Sequence, residues 1–119
     1  MVVEFNLTGS IPSKKNSWRM GNGRIFQSKQ TEINALLLEL KSQMSGSRLP
    51  LVENDCRLNL TIYGDNRNDL DNQVTTICDL LQKAGIVGND RQIKQIEAQK
   101  IIEKPHRAEI EVCEFELSS

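Results

Sequence analysis

Three aspartates give this 119-residue chain its strongest chemical signal. Asp69 and Asp71 flank one leucine immediately before a run with helical apolar spacing, and Asp90 follows the turn Gly88-Asn89 just past that run. Side chains at i and i+2 share a face on extended backbone but lie about 200° apart on a helix. Asp69 and Asp71 therefore converge if the chain stays extended through Leu70, which then faces the core. One carboxylate at a helix start has an ordinary explanation, since Asp71 there caps orphan N–H groups and is favoured by the helix dipole. Two carboxylates a few ångströms apart repel unless they share a proton or a cation, and a divalent metal is the usual cation. Asp90 by itself is a common turn residue. If it joins the pair, three hard oxygen donors without His or Cys suit Mg2+ or Mn2+ rather than Zn2+. Such a metal activates water and stabilises the leaving oxygen in phosphodiester cleavage.

Other chemistries find little support. There is one histidine, His106, expected to be exposed in a turn beside Pro105; there is no G-x-S-x-G and no phosphate-cradling P-loop. The three cysteines, Cys56, Cys78 and Cys113, are odd in number, lie in apolar segments and form no CxxC pair, so they read as reduced core residues. The formal net charge of −1 argues weakly against nucleic acid, but the charges are segregated. From Phe5 to Thr31 the five charged residues are all basic (Lys14, Lys15, Arg19, Arg24, Lys29), whereas from Ala108 onward there are four glutamates and no base. Because salt limits each charge's reach to about 8–10 Å, a neutral protein can still present a positive face. The longest apolar run falls well short of the roughly 20 residues of a membrane span, and MVVEFNLTG lacks the features of a signal peptide. The expectation is a cytoplasmic protein with no membrane contact.

The elements that must position these residues follow from periodicity. VVEFNLTG alternates as a first strand, and SIPSKKNSWRMGNGRIFQSK reads as a long ordered loop or loose hairpin turning at Gly21-Asn22-Gly23. Ile33, Leu36, Leu37, Leu40 and Met44 recur at helical intervals over 31–44. Cys56, Leu58, Leu60 and Ile62 alternate with polar residues as a strand buried on one face. Val74, Ile77, Cys78 and Leu81 mark a second helix over about 72–84, closed by Gly85. Strands are expected over 93–102 and 108–117, with a bulge where the apolar phase slips from Ile110 and Val112 to Cys113, Phe115 and Leu117. The order β-α-β-α-β-β predicts an α+β fold, two helices packed on a small mixed sheet, in a single domain spanning 1–119.

Asp69-Leu70-Asp71-Asn72, a helix ending Leu81-Gln82-Lys83-Ala84-Gly85, and then Asn89-Asp90 resemble the RusA family of Holliday junction resolvases. The opening Pro12-Ser13-Lys14-Lys15-Asn16 and the basic loop after it are similar to that family as well, so the likeness covers nearly the whole chain. The resemblance implies a homodimer that binds four-way or other branched DNA and makes paired symmetric cuts with Mg2+ or Mn2+. It assigns the carboxylate cluster to Asp69, Asp71 and Asp90. Phosphate contacts are then expected from Lys14, Lys15, Asn16, Arg19, Arg24, Lys29 and Arg67. One position departs: where the family carries a catalytic lysine, one helical turn after the second aspartate, this chain has Thr75. The alternative is a junction-binding protein with weak or no cleavage.

Overall fold

The computed structural model describes residues 1–13, 18–21, 24–27, 30–44, 46 and 48–115, with the backbone alone described in 18–21 and 24–27. Chain order is β1 (Val2–Thr8), β2 (Trp18–Gly21), β3 (Arg24–Gln27), α1 (Gln30–Gln43), β4 (Cys56–Gly64), α2 (Leu70–Ala84), a 3-10 turn (Asp90–Gln92), β5 (Ile93–Ile102) and β6 (Arg107–Glu114). β1, β6, β4 and β5 form one sheet in that spatial order, while β2 and β3 pair as a separate hairpin. β4 runs parallel to β5 and antiparallel to β6, so the sheet is mixed and α2 lies on the crossover between its two parallel strands. The fold is α+β as expected, with β2 and β3 adding a hairpin.

Alternation decides which face of the sheet the helices cover. Cys56, Leu58, Leu60 and Ile62 of β4 are buried, as are Phe5 and Leu7 of β1 and Ala108, Ile110 and Val112 of β6. Ile33, Leu36 and Leu40 of α1 and Ile77, Leu80 and Leu81 of α2 close over them. α2 stops at Gly85, whose φ of 85° is the left-handed conformation that glycine adopts without steric cost.

Three local expectations need correction. α2 begins at Leu70, two residues earlier than its apolar spacing suggests, because Leu70 packs against the core from a helical position. β6 keeps a continuous register with both neighbours and ends at Glu114, so the apolar phase slip marks the strand's end rather than a bulge. Phe115 there donates its N–H to the Asp55 carbonyl, and the register shift in this sheet falls instead between Cys56 and Arg57 of β4. His106 is partly covered, its ring lying over Gly64 so closely that a Cβ at residue 64 would come within 2.3 Å of it.

Candidate active site at the start of α2

β4 delivers the chain to a short turn, 65–69, and that turn is held by charge. Arg67 places Nη2 2.7 Å from Asp65 Oδ2 and donates its backbone N–H to Oδ1, while His106 Nε2 lies 3.3 Å from the same carboxylate. The Arg67 hydrogen bonds hold the Asp65 carboxyl well below the usual carboxylate range. Arg67 is thus a highly exposed cation already paired within its own turn.

Asp69 follows as the residue that caps α2, in extended conformation with φ −70° and ψ 138°. Its carbonyl accepts the Gln73 N–H, but its side chain makes no capping hydrogen bond and is exposed. Asp71 stands in the first helical turn, also exposed, with Oδ1 accepting the Asn72 N–H at 2.9 Å. The extended stretch thus ends at Asp69 rather than running through Leu70, and the two carboxylates share the positive end of one helix. One turn on, Thr75 is exposed and spends its hydroxyl on the Asp71 carbonyl, 3.1 Å away.

The opposite side of the same turns is polar yet buried. Gln73 donates its amide N–H to the Ile11 carbonyl at 2.8 Å, and Thr76 donates its hydroxyl to the Pro12 carbonyl at 2.9 Å. These bonds fix the segment after β1 to the helix that carries Asp71. Lys14, Lys15, Asn16 and Lys29 lie outside the described residues; Arg19 and Arg24 are on β2 and β3, with their side chains outside them. Between Ser10, Glu32 of α1, and Arg67 and Asn68 opens a cavity of about 530 Å³.

Asp90 sits elsewhere along α2. Asn89 caps the 3-10 turn by accepting the Arg91 N–H, and the Asp90 N–H is bonded to Gln82 Oε1 at 3.0 Å. Its charge also reaches Cys78, whose thiol is pushed up to about 11, chiefly by burial and then by Asp90. Residues 71 and 82 are about 16 Å apart along a helix axis at 1.5 Å per residue. The structure therefore sets Asp69 and Asp71 on either side of Leu70 at the N-terminus of α2 and places Asp90 beside the second half of that helix. Among the described residues no set of three His, Cys, Asp or Glu side chains is grouped to hold a metal. Mg2+ ordinarily takes one or two carboxylates and completes its shell with waters and substrate phosphates. The exposed Asp69–Asp71 pair fits that donor set.

One residue near the pair was not among the expected site residues. Lys100 of β5 lies opposite Ile62 in the register, and its ammonium is hydrogen-bonded to the carbonyl of Asn68, immediately before Asp69. The signal in the sequence is its phase: Lys100 is two residues after Ala98, which packs on the core.

A mixed sheet with a carboxylate pair at the head of its crossover helix defines a candidate nuclease scaffold. Residues 29–113 match the family described as Endodeoxyribonuclease RusA, and the chain belongs to that family. It is 27% identical over 99 residues, 79% of this chain and 75% of the other, to a protein named Crossover junction endodeoxyribonuclease RusA from Aquifex aeolicus (strain VF5).

Proposed function

We propose that this chain is a metal-dependent, structure-specific endodeoxyribonuclease that resolves Holliday junctions by paired symmetric cuts, as a homodimer of one-domain subunits in the cytoplasm. The observation that carries this reading is the exposed carboxylate pair at the N-terminus of α2 within a chain of the RusA family. Mg2+ or Mn2+, when bound, supplies a Lewis acid and an activated water for phosphodiester hydrolysis. Asp69 and Asp71 would hold it from the start of α2, and Asp90, on the 3-10 turn beside the second half of that helix, is the third carboxylate that the resemblance assigns. The backbone contacts come from Lys14, Lys15, Asn16, Arg19, Arg24 and Lys29, with Arg67 at the cavity rim; such contacts position the duplex without reading its sequence.

Two features support the remaining parts. β5 is an edge strand that exposes Ile96 and Ile102, an apolar margin of the kind a second subunit covers. No helix among the described residues is long and apolar enough to cross a membrane.

A synthetic four-way junction incubated with and without Mg2+ tests the reading. Cleavage is expected with metal only, and Asp69→Asn or Asp71→Asn should abolish it. Metal-free binding should stay equal or tighten, because a negative charge near the phosphates is gone. Cleavage by either variant near the wild-type rate would remove these residues from the mechanism. The second reading, a junction binder that scarcely cuts, is favoured by Thr75, whose hydroxyl is turned onto its own helix. Binding without cleavage at any metal concentration would carry that reading instead.

A further inference from the structure

Lys100 occupies a position that periodicity would give to an aliphatic residue. Side chains alternate along a strand, and Leu60 and Ile62, buried on the helix side, stand opposite Ala98 and Lys100 in the parallel register. Ala98 packs on the core, so Lys100 leaves β5 toward the same layer, at the end of the strand nearest the 65–69 turn. A lysine so placed must carry its ammonium to water or to an acceptor, because an unpaired buried charge is expensive. It reaches the carbonyl of Asn68 and remains half-buried.

That contact leaves the charge largely intact. An ammonium has three donors, and a backbone carbonyl engages one of them without neutralising it. Among the described residues near the carboxylates, two others offer less: Arg67 is paired with Asp65, and Thr75 is neutral and bonded to the Asp71 carbonyl. Two carboxylates and a phosphodiester in one place gather negative charge, which rises further as the phosphorus is attacked. A fixed cation beside them offsets it most effectively where the site is partly shielded from water.

We infer that Lys100 is the cation of the carboxylate site: its free N–H donors engage the phosphate held at Asp69 and Asp71 and stabilise the charge that builds there. This rests on the nuclease reading. The reaction is hydrolysis, in which a water oxygen bonds to phosphorus and the phosphorus–oxygen bond to the leaving strand breaks. Water's lost proton and the one taken by the leaving oxygen exchange with solvent. Lys100 remains an ammonium throughout, so it contributes hydrogen bonds and charge but transfers no proton.

The experiment compares single-turnover cleavage of a synthetic four-way junction at saturating Mg2+ by wild type, Lys100→Met, Lys100→Arg and the double variant Lys100→Met/Thr75→Lys. Metal-free junction affinity and urea unfolding are measured on the same samples. Lys100→Met should fold, bind the metal-free junction two- to fivefold more weakly, and cleave about 100-fold more slowly, as loss of one well-placed donor does. Lys100→Arg should recover at least a tenth of the wild-type rate. Thr75→Lys should restore the rate of the Lys100→Met background, because position 75 stands one turn beyond Asp71 on α2. A Lys100 that served only to tie down the Asn68 carbonyl would not be rescued from position 75. Wild-type cleavage with Lys100→Met unchanged, or slowed and rescued by neither replacement, would overturn the assignment alone. No cleavage by wild type would overturn the nuclease reading and the assignment with it.

Discussion

Thr76→Val tests whether the buried polar side of α2 sets the position of the basic segment. Thr76 is 1% exposed, and its hydroxyl lies 2.9 Å from the Pro12 carbonyl and 3.1 Å from the Asn72 carbonyl. Valine keeps the branched shape, so packing changes little, but the hydroxyl bond to the Pro12 carbonyl is lost. Leaving a buried acceptor unmatched costs about 1–3 kcal/mol. The extra buried methyl surface returns up to about 0.8 kcal/mol. The net expectation is destabilisation of about 1–2 kcal/mol, or roughly 4–8 °C in Tm for a chain of this length. Lys14 follows Pro12 by two residues, so a loosened segment should also present its lysines less well. Metal-free junction affinity is expected to fall about threefold to tenfold, under 1.4 kcal/mol. Urea unfolding should show a lower midpoint at unchanged slope, and Thr76→Ser, which retains the hydroxyl, should bind like wild type. A Thr76→Val protein with wild-type midpoint and affinity would refute the idea that this bond anchors the DNA-binding segment.

The basic segment itself is tested by replacing Lys14 and Lys15 with Ala, which should weaken junction binding and flatten log K against log salt by about one per lost phosphate contact; an unchanged slope would make the segment a bystander. The Cys78 thiol, pushed up to about 11 by burial and by Asp90, should be alkylated in the native protein at neutral pH roughly 100-fold more slowly than an ordinary cysteine. Asp90→Asn removes an anion that disfavours the thiolate, so it should speed that alkylation; a rate equal to wild type would place Asp90 too far away to matter. The Asp65 carboxyl is held below its ordinary range in the folded state, so its contribution to stability is complete at neutral pH and fades as pH falls below about 4 toward the folded value. The difference in urea midpoint between wild type and Asp65→Asn should therefore be constant from pH 7 to about 5 and shrink in stronger acid, and a difference that grew on acidification would reverse the assignment of Arg67 as the cause.

What was legible in the sequence was local and periodic. Four alternating apolar residues, Cys56, Leu58, Leu60 and Ile62, locate β4, Gly85 locates the end of α2, and the β5 bounds fall where the spacing puts them, because each depends only on which neighbours share a face. The start of α2 was less legible, since Leu70 satisfies a core contact from either an extended or a helical position, and the helix won. Apolar phase misled at β6, where Phe115 belongs to the chain beyond the strand rather than to a shifted register. Asp69 and Asp71 were readable as a pair because they are two residues apart. Asp90 and Lys100 come from distant segments, and their places depend on the 3-10 turn and on the β4–β5 register, which no local pattern encodes. Lys100 left one mark: a charge on the core-facing phase of a strand, a cost that a sequence avoids unless the charge has a use.

The acidic part of the segregated charge pattern takes one side of the sheet. Glu4 and Asn6 of β1 alternate with buried Phe5 and Leu7, and Glu109 and Glu111 of β6 alternate with buried Ala108, Ile110 and Val112, so all four face away from the helices. They surround an open depression of about 380 Å³, where Glu111 accepts a 2.7 Å bond from Asn59 and is held ionised below its ordinary range by it. The chain ahead of the opening lysines is instead pinned to α2, on the covered side of the sheet, through the Ile11 and Pro12 carbonyls. Because screening in physiological salt limits each charge's reach to about 8–10 Å, the glutamate face keeps its negative sign although the whole chain is nearly neutral. On the proposed function, a phosphate backbone would be repelled from the glutamate face and approach from the side that carries α2, so the sheet would orient the substrate as well as supporting the helix that carries the carboxylates.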